Sequence, residues 1–513
     1  MQNSSKHRTG NAIMRMIFVG ISILLQIAYL LLIILRLNTH YTLISAITAV
    51  LTFVVVLRLY TTHTNTALKL PWIMLLLIFP VMGLSLYLLT VLLGDLGSAK
   101  KRLAQQRETV RPCLPANPEI AHQLTASPLP GVTQCRYLQE TGGWPAYANT
   151  AVTYHAMAAE ALEDLKADLE AAEHFIFMEY FIVANCSAFR ELADILIGKA
   201  KQGVDVRLMY DDIGSTGYVN LFFAKTLSDA GIRCQAFNPA LPVLNLFMNH
   251  RDHRKITVID GKVGYTGGYN LSDEYFGREA PFGIWKDTGI RMEGEAVASL
   301  TAAFLEMWNA AGKTREDPGS FLSLRHSVPG ASGFVQPYAD APQGRERITE
   351  KTYLHLICSS KKSLYITTPY LIITDEMANA LGHAARRGVD VRIITPGIPD
   401  KKTVYALTRS FYSGLAAQGV RIFEYTPGFC HNKQMLCDGA VASIGTSNLD
   451  YRSLYTHFEN NVLLYGGDAV TAMAQDFDRT FPLCREVTEQ YRTGRGAILK
   501  IWQCFLRLFA PLM

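Results

Sequence analysis

One stretch of this chain, His253-Arg254-Lys255-Ile256-Thr257-Val258-Ile259-Asp260, occurs again as His431-Asn432-Lys433-Gln434-Met435-Leu436-Cys437-Asp438. Both copies follow the pattern H-x-K-x4-D, and a glycine comes directly after each aspartate. An asparagine, Asn270 or Asn448, stands 17 residues after each histidine. The shared spacing indicates that the chain contains two versions of one structural unit.

Each copy predicts a buried strand that ends in a hairpin. The residues between Lys and Asp are mainly apolar, and the Asp-Gly pair that follows is a two-residue turn signal. Because strand side chains alternate, His253 and Lys255 share one face, as do His431 and Lys433. Asp260 and Asp438 lie an odd number of residues from their histidines. This parity favours a structural role for the two aspartates.

The histidine, lysine and asparagine of each copy suit chemistry on a phosphodiester. Lysine compensates the charge of the non-bridging oxygens, and asparagine donates a neutral hydrogen bond. Imidazole titrates near neutral pH and serves as nucleophile, acid or base. With two histidines, one attacks phosphorus and the other protonates the leaving alkoxide. The alternative is a pair of ordinary hairpins whose histidines only satisfy local hydrogen bonds.

The duplicated pattern resembles the signature of the phospholipase D superfamily, and most closely that of its bacterial cardiolipin synthase branch. The resemblance runs from about residue 66 to the last residue. The residues that carry it are Asn249–Lys255, Gly267–Tyr275, Thr368–Tyr370, Ser447–Ser453 and Phe458–Asn460. The chain departs from the family at Asp252, where asparagine is usual, and at Asn432, where a small residue is usual. Both positions adjoin the expected site.

This resemblance implies an α/β protein with two pseudo-twofold-related phospholipase D-like domains, preceded by transmembrane helices. The implied activity is that of a phosphatidyltransferase that joins two phosphatidylglycerol molecules into cardiolipin and releases glycerol. The phosphatidyl group is carried on a histidine. His253 is assigned as nucleophile and His431 as acid and base, although the near-symmetry of the motifs leaves the reverse order open.

The resemblance also assigns the remaining site residues. The catalytic set comprises His253, Lys255, Asp260, His431, Lys433 and Asp438. Asn270 and Asn448 are expected to bind the substrate phosphate, and Asp287 and Glu459 to orient the histidines. No metal and no other cofactor are expected, because the two lysines supply the compensating charge.

Composition narrows the class of partner and the compartment. The net charge of +5 over 513 residues is modest, and no long basic stripe indicates nucleic-acid binding. The nine cysteines are scattered and form neither a disulfide framework nor a zinc spacing. Unpaired cysteines favour a reducing compartment, so we expect the catalytic domains on the cytoplasmic side. The expected partners are phospholipid substrates and the lipid bilayer; the oligomeric state is left open.

The N-terminal region predicts a multi-pass anchor in the cell membrane. Residues 1–98 contain three apolar runs, at 16–35, 42–57 and 70–93. They form two or three spans, and basic residues at both ends leave the orientation ambiguous. The third run is interrupted by Pro80 and Gly83, which membrane helices tolerate as a kink.

Helix and strand patterns then alternate twice, which predicts two domains with largely parallel sheets flanked by helices. The pentapeptide Gly-Val-Asp-Val-Arg appears at 203–207 and again at 388–392. We divide the chain into a linker at 99–150, a first domain at 151–311, a linker at 312–345 and a second domain at 346–483. Since neither domain has two histidines, the site is expected in a cleft between them.

Residues 484–513 predict an amphipathic tail with apolar side chains at helical spacing and basic flanks. Such a helix suits the surface of an anionic membrane. Packing against the catalytic core is the competing interpretation.

Of four other functions, the first two stay open at this point. The same fold could use water as acceptor in a membrane phospholipase D, or serine in a phosphatidylserine synthase. A nuclease is disfavoured by the modest charge. A catalytically silent membrane scaffold is disfavoured by the presence of two complete motifs.

Overall fold

The computed structural model describes residues 41–62, 64–94, 97–239, 250–312, 315–342, 344 and 346–493, with scattered residues before 41 and after 493. Its helices are α1 (Tyr41–Thr61), α2 (Thr66–Ile78), α3 (Pro80–Gly94), α4 (Gly97–Val110), α5 (Pro118–Ala126), α6 (Gln134–Glu140), α7 (Ala158–Glu170), α8 (Ser187–Lys201), α9 (Phe223–Asp229), α10 (Val297–Ala311), α11 (Gly319–Leu322), α12 (Ile348–Ser359), α13 (Asp375–Arg386), α14 (Lys402–Ala416), α15 (Asp468–Thr480) and α16 (Thr488–Arg492).

The strands are β1 (Thr150–His155), β2 (Phe175–Tyr180), β3 (Asp205–Asp211), β4 (Arg233–Phe237), β5 (Lys255–Ile259), β6 (Val263–Gly267), β7 (Ile284–Lys286), β8 (Gly289–Gly294), β9 (Phe334–Asp340), β10 (Ser363–Thr367), β11 (Asp390–Pro396), β12 (Arg421–Tyr425), β13 (Gly428–Cys430), β14 (Gln434–Cys437), β15 (Val441–Gly445), β16 (Glu459–Tyr465) and β17 (Cys484–Glu486).

Two mixed sheets form the two domains. The first has the order β1-β8-β6-β5-β2-β3-β4, and the second β17-β12-β11-β10-β14-β15-β16-β9. Only β2-β3-β4 and β10-β11-β12 run parallel; every other neighbouring pair within the two sheets is antiparallel. The prediction of a largely parallel sheet is therefore wrong. Helix–strand alternation covers only three strands of each sheet, and these run parallel. The other strands are joined by hairpins or added at the sheet edge, where they pair antiparallel.

The Asp-Gly hairpins are confirmed in both halves. Asp260 and Gly261 have φ values of 54° and 65°, and Asp438 and Gly439 have 52° and 65°. Positive φ at both central residues is the conformation that a tight hairpin between right-twisted strands requires. The turns fix the register in which β5 pairs with β6, and β14 with β15.

The same register places each motif at the carboxyl end of a central strand. Lys255 pairs with Tyr180, the last residue of β2. Gln434, which follows Lys433, pairs with Thr367, the last residue of β10. His253 and His431 lie just beyond these pairs, so both motifs reach the same kind of sheet edge.

Residues 99–150, which we predicted as a linker, instead form helices that pack into the core. Leu103, Val110 and Trp144 are buried. The Trp144 indole donates to the carbonyl oxygen of Ala339 in β9 at 3.1 Å. The second predicted linker, 312–345, likewise contains β9, an edge strand of the second sheet. Proline and glycine content alone does not reveal such edge elements.

Two of the predicted apolar runs coincide with described helices. The run 42–57 lies within α1, and the run 70–93 is divided between α2 and α3. The division falls at Phe79, as expected for the residue before a proline. The run 16–35 lies largely outside the described residues. Across the described ranges, no helix is both long enough and apolar enough to cross a membrane.

Part of the predicted tail packs against the second domain. Strand β17 extends the sheet beside β12. Leu506 and Ala510 are buried, and the Arg507 guanidinium donates through Nε to Ser410 Oγ at 3.1 Å. Most of the predicted apolar stripe lies outside the described residues.

Candidate active site

A cavity of about 670 Å³ lies between the two domains. His253 and Asn270 from the first domain line it, together with His431 and Asn448 from the second. Two sequence motifs that are far apart in the chain therefore contribute to one site. The other lining residues are Phe181, Ile182, Tyr218, Glu274, Tyr275, Glu279, Pro281, Phe282, Trp285, Tyr370, Ile372, Asp400, Lys401, Val404, Asp450, Arg452 and His457.

Each histidine is held by a carboxylate from the opposite domain. His253 Nδ1 lies 2.9 Å from Glu459 Oε1, and His431 Nδ1 lies 2.6 Å from Asp287 Oδ2. A carboxylate beside Nδ1 accepts a hydrogen bond from the Nδ1–H group and so fixes the ring proton on that nitrogen. The Nε2 of each ring then carries the lone pair. The four residues form two crossed pairs related by the pseudo-twofold axis.

The backbone at the domain interface fixes these crossed pairs. The amide of His253 donates to the carbonyl oxygen of Phe458 at 2.9 Å, and that of His431 donates to Lys286 at 2.8 Å. Phe458 and Lys286 directly precede the two orienting acids. Strand β7 also pairs in parallel with β13 across the interface. Backbone hydrogen bonds therefore hold the segment that carries each histidine beside the segment that carries its acid, in addition to the contact between the side chains.

Local sequence then orients the two acids in different ways. Thr446 donates its hydroxyl to Glu459 Oε2. The equivalent residue of the first motif is Gly268, and a Cβ there would lie 2.9 Å from Asp287 Cγ. Asp287 Oδ1 instead accepts the backbone N–H of Thr288 at 2.9 Å. Glycine at 268 is therefore required for Asp287 to approach His431.

The two lysines are buried beside the histidines. Lys255 Nζ donates to the carbonyl oxygen of His253 at 2.6 Å. Lys433 Nζ donates to the carbonyl oxygen of His431 and lies 2.8 Å from its Nδ1. Burial lowers the pKa of Lys255 to about 7 and that of Lys433 to about 8, against the opposing pull of Glu459 and Asp287. Both pKa values lie close to neutral pH while the cavity is empty.

Both imidazoles are neutral at pH 7. Burial, followed by the charges of Lys255 and Lys433, holds the pKa of His253 well below its usual value. Burial and Lys433 lower the pKa of His431 to about 4, although Asp287 raises it. Burial also raises the pKa of Glu459 to about 7. A neutral imidazole is the form that attacks phosphorus.

The two asparagines differ in their hydrogen-bond partners. Asn270 accepts the backbone N–H of Ile182 at 3.1 Å and donates to Tyr275 Oη at 2.7 Å. The side-chain oxygen of Asn448 is buried, and among the described residues it has no hydrogen-bond partner. Asn270 therefore helps to shape the cavity wall. The unpaired atom of Asn448 is a hydrogen-bond acceptor, so a contact with a phosphoryl oxygen has to come from its side-chain NH₂ group.

Asp260 and Asp438 lie outside this cavity lining. Asp260 accepts the backbone N–H groups of Glu173, His174 and Phe175 at 2.7–2.8 Å. Asp438 accepts the equivalent groups of residues 361–363. These contacts correct the prediction that both aspartates belong to the catalytic set. Each carboxylate holds its hairpin to the start of the neighbouring central strand, in agreement with the strand parity.

His457 is a site residue that the sequence did not indicate. Its ring centroid lies 5.5 Å from that of His253, and both ring nitrogens are buried without a hydrogen-bond partner among the described residues. Ligand atoms of His253, His457 and Glu459 lie within 4.8 Å of one another, close enough to share a metal ion. The neighbouring Lys255 and Lys433 charges oppose a dication there. The three residues come from two domains, so no sequence spacing reveals the cluster.

Asp252, one of the departures from the family pattern, lies fully buried close to Glu179. Burial raises the pKa of both carboxyl groups, and each also interacts with Arg254. One shared proton lets the two carboxyl groups hydrogen-bond to each other without two buried charges. The aspartate is thereby accommodated directly before His253.

Comparison with known proteins adds to this geometry. The family model described as "Cardiolipin synthase, PLD-like domain" matches residues 165–308 and 353–481. The chain is 36% identical over 465 residues to a cardiolipin synthase of Halalkalibacterium halodurans, covering 86% of this chain and 88% of that protein. It is 38% identical over 458 residues to an uncharacterized protein of Streptococcus mutans, covering 89% and 99%. The solved phosphatidylserine synthase of Haemophilus influenzae shares the fold, with a TM-score of 0.54 at 14% identity over 74% of this chain and 99% of that one.

Proposed function

Since the chain belongs to the cardiolipin synthase family of phospholipase D-like proteins, we propose that it transfers a phosphatidyl group between two phosphatidylglycerol molecules. The products are cardiolipin and glycerol. The observation that carries the proposal is the pair of histidines in one cavity, each held by a carboxylate of the other domain.

In the first half-reaction, His253 Nε2 attacks the phosphorus of one phosphatidylglycerol. A bond forms between nitrogen and phosphorus, and the bond from phosphorus to the glycerol oxygen breaks. His431 gives a proton to the departing oxygen. The anionic phosphodiester raises the pKa of His431 and of both lysines, so this proton is present when substrate is bound. Lys255, Lys433 and Asn448 hold the phosphoryl oxygens as charge accumulates.

In the second half-reaction, His431 removes the proton from a hydroxyl of the second phosphatidylglycerol. The alkoxide oxygen attacks phosphorus, and the bond to His253 breaks. His253 leaves as a neutral imidazole, and the proton taken from the hydroxyl returns His431 to its protonated starting form. One residue acts as acid and then as base, as reversibility of the two half-reactions requires.

The membrane setting is part of the proposal. Residues 1–98 anchor the chain in the cell membrane with the catalytic domains on the cytoplasmic side. Support comes from α1, along which Leu43, Val50 and Phe53 are exposed apolar side chains. Proteolysis of right-side-out and inverted vesicles tests the orientation. Cleavage of the catalytic domains only in inverted vesicles is expected, and cleavage only in right-side-out vesicles would reverse it.

The activity is tested with the purified full-length chain and phosphatidylglycerol vesicles. Cardiolipin and glycerol in equal amounts are expected, and a chelator should leave the rate unchanged. Phosphatidic acid as the main product would instead favour a hydrolase. Absence of turnover would contradict the enzyme assignment.

The covalent intermediate is tested separately. The His431→Asn variant retains the nucleophile but lacks the acid of the first step and the base of the second, so acid-labile phosphohistidine should form slowly on it and then persist. The His253→Asn variant should form none. Label on His431 in the His253→Asn chain would reverse the assigned roles.

A further inference from the structure

Five apolar side chains are exposed in segments that adjoin the cavity-lining residues in sequence or in space. Leu221 and Phe222 are 71% and 69% exposed, Ile284 is 53% exposed, and Ile213 and Ile398 are each 39% exposed. Large exposed apolar groups that gather around a binding site mark an interaction surface. We call these five residues the apolar rim.

Two members of the apolar rim lie together on one side of the cavity. Ile284 stands between Phe282 and Trp285, both of which line the cavity. The neighbouring Gly283 approaches Ile398 so closely that a Cβ there would lie 3.3 Å from Ile398 Cδ1. Ile398 therefore lies beside the residue that precedes Ile284, so the two domains each contribute one apolar side chain to this region.

The other three members follow cavity-lining residues of the first domain. Leu221 and Phe222 come shortly after Tyr218, which lines the cavity. Ile213 precedes Gly214, where a Cβ would lie 2.6 Å from the ring of the lining residue Phe181. Ile213 and Ile398 also occupy equivalent places, two residues after β3 and β11 respectively.

The size of the cavity indicates what the apolar rim contacts. At about 670 Å³, it falls within the range of about 300–1,000 Å³ that holds a drug-sized ligand. Each phosphatidylglycerol carries two acyl chains that extend through one leaflet of a hydrocarbon core roughly 30 Å thick. Two such substrates cannot enter whole. The cavity takes the headgroups, and the acyl chains have to stay in a lipid leaflet beside its opening.

Charge at the opening fits an anionic leaflet. Lys401 lines the cavity with a side chain that is 67% exposed, and Arg452 lines it with an exposed side chain. Cationic side chains near a bilayer are attracted to anionic headgroups. Glu279 and Asp400 also line the cavity and oppose this attraction in part.

We propose that the apolar rim inserts into the outermost acyl region of an anionic leaflet and seats the cavity on the membrane. Lipid headgroups then enter the site without leaving the bilayer. The inference rests on the proposed function, because it takes a two-chain phospholipid as substrate. It assigns the bilayer contact to residues outside the N-terminal anchor and outside the catalytic set.

Insertion is tested without any activity measurement. The full-length F222W chain is reconstituted into phosphatidylglycerol vesicles that contain lipids brominated near the top of the acyl chain. The added tryptophan should be strongly quenched relative to the unsubstituted protein. The matched control is L483W, at a residue that is 50% exposed and does not line the cavity. Equal quenching of the two added tryptophans, or none in F222W, would overturn the proposal.

The consequence for turnover is tested with two substrates. Replacing Leu221, Phe222, Ile284 and Ile398 together by serine should lower kcat/KM for long-chain phosphatidylglycerol in vesicles by about tenfold or more. Turnover of monomeric dihexanoyl phosphatidylglycerol should stay within about twofold, since its chains need no leaflet. The matched control replaces Leu324 and Leu483, 44% and 50% exposed, and should change neither rate.

Two outcomes of this comparison overturn the proposal. They are an unchanged rate on vesicles and an equal loss on both substrates. If the unsubstituted enzyme turns over neither substrate, the proposed function fails, whereas the quenching experiment still reports on insertion by itself.

Discussion

His253 and His431 obtain their hydrogen-bond partners from the opposite half of the chain. Across the domain interface, Glu459 accepts a hydrogen bond from His253 Nδ1, and Asp287 accepts one from His431 Nδ1. Burial keeps both rings neutral, and the adjacent lysines supply charge close to the position of the phosphate. The protonation states of these residues therefore depend on which groups are buried together at the cavity.

Replacement of Glu459 by glutamine should impair turnover while preserving the fold. Glutamine keeps the shape but offers His253 Nδ1 no carboxylate, so the tautomer with Nε2 free for attack loses its support. Loss of the orienting carboxylate of a catalytic histidine costs on the order of 10⁴-fold in kcat. The measurement is steady-state turnover, together with phosphohistidine yield. The exposed Glu170→Gln variant, outside the cavity lining, is the control, and near-normal turnover of Glu459→Gln would contradict the orienting role.

The pH dependence follows from the lysines. A lysine is charged below its pKa, so raising the pH through about 7 to 8 removes charge from Lys255 and Lys433 in the empty site. Binding of the anionic substrate therefore weakens, and kcat/KM should fall over this interval. Turnover at saturation should fall at higher pH, because bound phosphate raises both pKa values.

The Lys255→Arg variant provides the check on this pH profile. Arginine stays charged throughout the interval, so the alkaline fall in kcat/KM should move upward even if the maximal rate declines. A profile that is flat between pH 6 and pH 9 in the unsubstituted enzyme would exclude the lysines as its source.

The two hairpins act as single elements that carry both chemistry and structure. Their Asp-Gly turns reverse the chain, and the aspartate of each accepts three backbone N–H groups of a neighbouring segment. These bonds hold the histidine and lysine at the end of the central strand. The aspartates therefore contribute to activity through position.

Replacement of Asp260 by asparagine should destabilise the first hairpin. The amide group turns an NH₂ toward N–H donors, and each buried donor left unpaired costs about 1–3 kcal/mol. We expect the thermal midpoint Tm to fall by several degrees, with turnover per folded molecule largely retained. The exposed Asp229→Asn variant is the control. A complete loss of turnover with an unchanged Tm would instead indicate a catalytic role.

Gly268→Ala tests the contact between the first motif and its acid. An added Cβ would overlap Asp287, so the carboxylate has to move away from His431. Turnover should fall by about 10²-fold, as expected when a catalytic group is displaced by about 1 Å. Gly277→Ala is a matched control, because a Cβ there meets no atom within 4 Å, although its φ of 71° adds some strain. Turnover of Gly268→Ala at the rate of the control would show that the acid does not depend on this glycine.

For the whole molecule, the domain interface builds the site. Strands β7 and β13 pair across it, and the backbone amides of both histidines donate to carbonyl groups of the opposite domain. Helices α4 to α6 pack against both domains, through the partly buried ion pair of Arg111 with Glu306 and the hydrogen bond that Gln134 donates to Thr352 Oγ1 at 2.8 Å. Both histidines and both orienting acids of the site therefore belong to one and the same chain.

Mixing two inactive variants tests this arrangement. His253→Asn and His431→Asn chains, reconstituted in the same vesicles, should stay inactive, because each chain supplies both histidines of its own site. The activity of a doubly substituted chain mixed with unsubstituted enzyme is the normal value to which the mixture of the two single variants is compared. Recovery of about one quarter or more of normal activity in the mixture would indicate that sites form between chains.

The sequence by itself determined the repeat, the hairpins, the identity of the histidines and lysines, and the family. These follow from local periodicity and residue spacing, which are properties of neighbouring positions. The folded arrangement was needed to learn that most strand pairs are antiparallel, that His457 adjoins His253, and that Glu459 orients His253 while Asp287 orients His431. The three side-chain pairings join residues that are more than a hundred positions apart. They depend on how two sheets dock across an interface, which no local pattern encodes.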